Sequence, residues 1–190
     1  FKNACDAEGA ANLIDLRQIE QELLLIQSSD AIPPDASIAF CHNDLLAANI
    51  MIRESGEEIQ IQIIDFEYGG YNYSSFDIAN HFNEFAGGTQ DAKPDYSLFP
   101  SHVQKRHFLE SYLNARGGFG ENKEEALEIL LEEVDAFVLG NHLYWGLWAV
   151  NQAKSEGCGE FDYLLYAYNR FHRFQAQKSL FLKDSSTQEK

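Results

Sequence analysis

Positive charge is scarce in this sequence. Lys and Arg number 14 against 30 Asp and Glu, a formal net charge of −16 over 190 residues. So acidic a chain makes a poor partner for nucleic acid or an anionic membrane surface, both of which reward clustered cations. It suits a cationic small substrate, whose local concentration an acidic cleft raises, although acidity that serves only solubility accounts for the same figure. Cysteine is sparse as well: Cys5, Cys41 and Cys158 form an odd set with no CxxC spacing. That argues against a zinc site or a disulfide framework and for reduced thiols in a cytoplasmic protein. Apolar runs free of polar residues are missing. The longest apolar stretch, VDAFVLGNHLYWGLWAV, carries Asp135, Asn141 and His142, so it reads as a buried core helix and not as a membrane span. No secretory signal is visible at Phe1, and there is no initiator methionine.

What is present is enough for a core: 45% of the residues are hydrophobic, in a length that suits one domain or one large lobe. Leu13, Leu16, Ile19, Leu23 and Ile26 recur at helical steps, predicting a helix over residues 12–27 that must stop before Pro33 and Pro34. SIAFC reads as a short buried strand. IMIRES, a turn at Gly56 and EIQIQIID read as a β-hairpin, with Ile59, Ile61 and Ile63 on one face and Gln60 and Gln62 on the other. The hairpin brings Asp65, at its end, back toward Asn49, at its start. Helices follow: SSFDIANHFNEFA with serines suited to capping, SHVQKRHFLESYLNA closed by Gly117 and Gly118, a long run over about 124–154, and a last one over about 160–177. Residues 178–190 read as a flexible polar tail. The expected class is α+β, mostly α.

The chemistry sits at the hairpin. Phosphoryl transfer from ATP needs Mg2+ held against the phosphates and an acceptor hydroxyl oriented by a carboxylate. Protein kinases place these groups in H-R-D-L-x-x-x-N and D-F-G. Here His42, Asp44, Leu45 and Asn49 match the first pattern at the same spacing, and Asp65-Phe66-Glu67 resembles the second with Glu for Gly. The catalytic set is therefore Asp44, Asn49 and Asp65. Asp44 accepts a hydrogen bond from the substrate hydroxyl, Asn49 and Asp65 offer oxygens to Mg2+, and Glu67 reaches a metal directly or through water. His42 is expected to hold the loop by hydrogen bonding. Asp77 falls in the first turn of its helix, where a carboxylate is favoured, and is expected to brace the catalytic loop. Asp77, His81 and Glu84 share a helical face, with Phe76, Ala79 and Phe82 nearer the core. Glu84 reads either as facing an acceptor cleft or as a solvated helix residue.

HNDLLAANI, IDFEYGGYNYSSFDIANHFNEFAG and HLYWGLWAVNQAK resemble the choline/ethanolamine kinase family, over roughly residues 12–178. The resemblance implies a protein-kinase-like fold and Mg2+-dependent transfer of the ATP γ-phosphate to the hydroxyl of an amino alcohol. By position it makes Asp44 the catalytic base and Asn49 and Asp65 the Mg2+ ligands, and it places Glu84, Trp145, Trp148, Phe161 and Tyr166 around the ammonium group. Trp145 and Trp148 share a helix face, and indole faces attract cations by about 0.5–2 kcal/mol. Leu46 stands where choline kinases usually have Gln, and Asn83-Glu84-Phe85 where they commonly have Cys-Glu-Trp. With DYSLFP, this points to the ethanolamine branch. A primary ammonium has three N–H donors and wants acceptors such as Glu84 or Asn83.

The implied activity is phosphorylation of ethanolamine to phosphoethanolamine, the first step of the CDP-ethanolamine route to phosphatidylethanolamine. Choline as substrate, or a non-catalytic ligand-binding or regulatory fragment, are the alternatives. No VAIK-like lysine and no glycine-rich phosphate loop precede the catalytic motif, and GGFG at 117–120 reads as a helix terminator. The expectation is the C-terminal lobe of a longer protein, poorly active alone. Expected partners are a small amino alcohol, with no nucleic acid and no membrane insertion; a homodimer of the full-length protein is open.

Overall fold

The computed structural model describes residues 15–27, 32–34, 36–56, 58–118, 120 and 122–185. In chain order these form α1 (Leu16–Gln27), β1 (Ile38–Cys41), a 3-10 turn (Ala47–Asn49), β2 (Ile50–Ser55), β3 (Glu58–Ile63), β4 (Gly70–Tyr73), α2 (Ser74–Glu84), a second 3-10 turn (Tyr96–Leu98), α3 (His102–Arg116), α4 (Lys123–Glu156) and α5 (Tyr163–Ser185). The helices fall where the apolar periodicity puts them. Residues 12–14 of the first predicted helix, and residues 186–190 of the tail, lie outside the described residues. α5 continues past Gln177 as far as Ser185.

The chain divides into two compact units: residues 33–86 with 96–138, and residues 1–32 with 87–95 and 139–190. α4 contributes its first part to one and its remainder to the other.

The first unit holds both small antiparallel sheets. β2 pairs with β3 from Ile50↔Ile63 to Ser55↔Glu58, with Gly56 at φ 67 in the turn, as the isoleucine alternation predicts. β1 pairs with β4 from Ile38↔Tyr73 to Cys41↔Gly70, a pairing the sequence pattern does not announce. The expected buried strand SIAFC is buried only at its end. Ile38 and Phe40 are 63% and 61% exposed, while Cys41 points inward, because a two-stranded sheet covers one face at most. Burial pushes the Cys41 thiol up to about 11, helped by the nearby Asp77 charge, so Cys41 is an inert packed group.

α2, α3 and the start of α4 supply the core: Ile78, Ala79, Phe82, Leu109, Leu127, Leu131 and Val134 are buried. The serines of SSFDIANHFNEFA do not cap α2. Tyr73 occupies the cap position without a side-chain bond, and Ser75 instead donates to Glu133 at 2.7 Å in the interior. α3 is closed at both ends as its sequence suggests. Ser101 and Gln104 form a capping box, and Gly117 ends the helix at φ 125.

In the second unit Ile26, Leu139, Leu143 and Phe174 pack together with Ile32 and Phe171. Glu22, buried, accepts from Lys178 Nζ and Gln175 Nε2, which ties α1 to α5. His142 is fully buried, and desolvation with the charges of Arg170 and Arg173 holds it well below its usual range, hence neutral. Cys158 is disulfide-bonded, which corrects the expectation of a reduced thiol at that position. Among the described residues no helix is long and apolar enough to cross a membrane.

Candidate active site

Residues 42–49 leave β1 as a loop whose geometry is set by hydrogen bonds at nearly every position. The Asp77 carboxylate, in the first turn of α2, accepts from the backbone N–H groups of His42 and Asn43 at 2.8 Å each. The expected bracing role of Asp77 is thus met by two charge-assisted bonds. His81, one turn further along α2, has its Nδ1 3.0 Å from the Leu45 carbonyl. His42 Nε2 lies 2.8 Å from the Ile64 carbonyl, and the Asp44 N–H reaches His42 Nδ1 at 3.3 Å. Those two partners fix the tautomer: Nε2 carries the proton and Nδ1 accepts. His42 therefore holds the loop, as expected.

The hairpin does what its place in the sequence requires. The Asn49 carbonyl accepts from the Ile64 N–H at 3.0 Å, directly beyond the Ile50↔Ile63 pair. The residue after Ile64 is Asp65, at φ 65, a left-handed conformation uncommon outside glycine. Such backbone strain concentrates at functional sites. Asn49 is buried and its Nδ2 donates to the Asp44 carbonyl at 2.9 Å, so the two ends of the loop are pinned to each other. The segment then turns, with the Gly69 N–H on the Phe66 carbonyl at 2.8 Å. A Cβ at Gly69 would lie 2.9 Å from that oxygen, which is why a residue without a side chain stands there.

Asp44 is half-buried, and Asp65 and Glu67 are exposed. Burial pushes the Asp44 carboxyl above its ordinary value; His42 pulls it back, and the negative charges of Asp65 and Glu67 add to the rise. The three carboxylates are thus near enough to feel one another. Among the described residues no group of three or more His, Cys, Asp or Glu is arranged to hold a metal unaided. Mg2+ seldom takes an all-protein cage; it is usually held by one or two carboxylates with phosphate oxygens and water. Asp65 offers one such exposed carboxylate.

The other predicted positions divide. Glu84 is half-buried at the end of α2, on the helix that carries Asp77 and His81. Asn83, one position earlier, is fully buried, and its Nδ2 donates to the Val138 carbonyl at 3.2 Å. Trp145, Trp148, Phe161 and Tyr166 come together in the second unit. The ring centroids of Trp145 and Trp148 are 5.4 Å apart, those of Trp148 and Tyr166 6.5 Å, and those of Phe161 and Tyr166 5.8 Å. The Arg170 guanidinium lies 5.5 Å from the Tyr166 ring, so part of that ring already faces a cation. Tyr163 was missed. It stands 5.7 Å from Trp148 and 5.0 Å from Phe161, and its hydroxyl donates to Glu156 at 3.0 Å. Its spacing of three from Tyr166 was the available signal.

Comparison with known proteins gives the family. The sequence matches the family described as choline/ethanolamine kinase over residues 2–175. The chain belongs to the choline/ethanolamine kinase family. It is 46% identical to ethanolamine kinase 1 of Homo sapiens over 145 residues, covering 74% of this chain and 31% of that protein. It is 38% identical to probable choline kinase 3 of Arabidopsis thaliana over 180 residues, covering 93% and 50%. The structure of Plasmodium vivax ethanolamine kinase superposes with a TM-score of 0.73 at 32% identity, covering 89% of this chain and 42% of that one. This family member thus spans half or less of the length of these relatives. Its mostly helical build with two small antiparallel sheets is that of a kinase-like C-terminal lobe.

Proposed function

We propose that this chain carries the catalytic and amino-alcohol-binding residues of a kinase that transfers the ATP γ-phosphate to the hydroxyl of ethanolamine. The observation that carries the reading is the hairpin, whose register joins Asn49 to Ile64 and sets Asp65 beside the loop that holds Asp44. The substrate oxygen bonds to the γ-phosphorus, the bond to the bridging oxygen of ADP breaks, and Asp44 takes the hydroxyl proton. Asn49 and Asp65, with Glu67 directly or through water, hold the Mg2+. When bound, that ion offsets the negative charge of the phosphates. Trp145, Trp148, Phe161 and Tyr166 attract the ammonium group through their ring faces, and Glu84 accepts its N–H donors.

Ethanolamine is preferred because of Leu46 and the acceptor Glu84. Choline is the second reading, favoured by the aromatic group, which suits a cation without N–H donors. The product would be phosphoethanolamine, entering the CDP-ethanolamine route, in the cytoplasm. The test is ATP-dependent phosphorylation of ethanolamine and choline side by side, by the intact protein and by Asp44→Ala. Turnover of neither substrate overturns the kinase reading, and far better use of choline reverses the preference.

A further inference from the structure

Asp65 and Glu67 are exposed, so the backbone of residues 64–70 must place them. That segment is tied to the catalytic loop along its length. The Ile64 N–H bonds the Asn49 carbonyl, the Ile64 carbonyl bonds His42, and Gly70 pairs with Cys41. The remaining tie falls directly after Glu67. Asn43 Nδ2 donates to the Tyr68 carbonyl at 2.9 Å. The other end of that amide is fixed as well: Asn43 Oδ1 accepts from Asn72 Nδ2 at 2.9 Å, and Asn72 Oδ1 accepts from the Tyr73 N–H at 2.8 Å. With its oxygen occupied, the Asn43 amide has only its N–H2 to turn toward Tyr68. The backbone is fixed in turn, at φ 66 with its N–H on Asp77.

We infer that Asn43 is a positioning residue, which sets where Asp65 and Glu67 stand by gripping the Tyr68 carbonyl from the catalytic loop. The inference rests on the kinase reading for what those carboxylates hold. His42 and Asn43, adjacent in sequence, clamp the segment at its two ends, at Ile64 and at Tyr68. Asn43 touches no reacting atom; its effect passes through the peptide that follows Glu67. The residue type follows from the contacts. Asp would turn a carboxylate oxygen against the Tyr68 carbonyl. Gly would satisfy the backbone and leave both side-chain bonds unmade. A larger residue without a donor would meet both the positive φ and the Tyr68 oxygen.

The test uses Mn2+ as the probe, with ADP present, and reads bound metal by electron paramagnetic resonance on the intact protein, so the readout does not depend on turnover. Asn43→Gly removes the amide without backbone strain. It is expected to weaken Mn2+ binding about tenfold, as loss of groups that orient metal ligands does. KM for ethanolamine should stay within about twofold, since substrate contacts are untouched. Asn72→Ala, which frees the amide to rotate, should shift Mn2+ binding the same way by a smaller factor. If Asn43→Gly fails to fold, Asn43→Asp keeps the size and the tolerance of positive φ, and turns a charged oxygen toward the Tyr68 carbonyl in place of the donors. A folded variant with wild-type Mn2+ affinity overturns the inference, as does lowered thermal stability with unchanged Mn2+ affinity, or a wild-type protein that binds no Mn2+. Weakened Mn2+ binding in a protein that phosphorylates no amino alcohol would uphold Asn43 and remove the kinase reading alone.

Discussion

Asp77 accepts the backbone N–H groups of both His42 and Asn43, each at 2.8 Å, with its two carboxylate oxygens. One side chain thereby fixes two consecutive peptides that lie far from it in sequence. Asp77→Asn would put an amide N–H2 against one of those N–H groups. It is expected to cost about 2–3 kcal/mol, the loss of a charge-assisted bond plus an unmet donor. Urea denaturation checks this; an unchanged midpoint would remove Asp77 from its bracing role.

The raised Asp44 carboxyl has a consequence for stability. Its cause is first burial, then, against the pull of His42, the charges of Asp65 and Glu67. A carboxyl whose folded value lies above its unfolded value contributes stability below the unfolded value, and that contribution is lost as pH rises through the folded one. Asp44→Asn, permanently neutral, should therefore be more stable than the wild type at pH 7 to 8 in chelator. The advantage should vanish below about pH 4, where an ordinary Asp is protonated. Thermal unfolding across pH reads it out, and Asn no more stable at neutral pH would contradict the assigned environment. The same variant should lose about 10²–10⁴ in turnover if Asp44 is the base.

Trp148 is, with Phe161, an accessible member of the aromatic group, half-buried where Trp145 is buried. Trp148→Leu should raise KM for the amino alcohol about 2- to 30-fold, the kinetic equivalent of about 0.5–2 kcal/mol of cation attraction. Effects on kcat should be smaller. Trp145→Leu should instead lower the unfolding temperature, since a buried indole leaves a cavity. Steady-state kinetics on both variants separates binding from packing.

Gly146 lies between those tryptophan positions on α4, and a Cβ there would come within 2.7 Å of the Phe171 ring. Alanine raises helix propensity by about 1 kcal/mol, but displacing a packed ring costs about 1–3 kcal/mol. Gly146→Ala is expected to be net destabilising. Calorimetry settles the sign, and a stabilised variant would mean that Phe171 moves freely.

Local pattern carried much of this structure. The hairpin was legible because Ile59, Ile61 and Ile63 alternate with glutamines and Gly56 marks the turn. α3 was legible through the closing glycines Gly117 and Gly118, though not through its capping box. The family could be read because phosphoryl transfer demands fixed residue types at fixed spacing. The β1–β4 pairing was not legible, since Gly-Tyr-Asn-Tyr is too short for a periodic signal and its partner lies far upstream. The exposure of Ile38 and Phe40 was misjudged for a related reason: strand composition says how apolar a face is, not what covers it. The burial of Asn83 was not legible either, since one helical step separates it from half-buried Glu84 and turns its side chain into the core.

Asn43 and Asp65 share an unfavourable backbone twist, at φ 66 and φ 65, on the two facing segments of the proposed site. Each carries a modest energetic penalty that glycine would erase. A laboratory selection scored on heat resistance alone should keep Asn43, whose amide makes two hydrogen bonds, but drift toward glycine at position 65, discarding a carboxylate in exchange for ease of folding. The toughest survivors of such a screen would be catalytically mute.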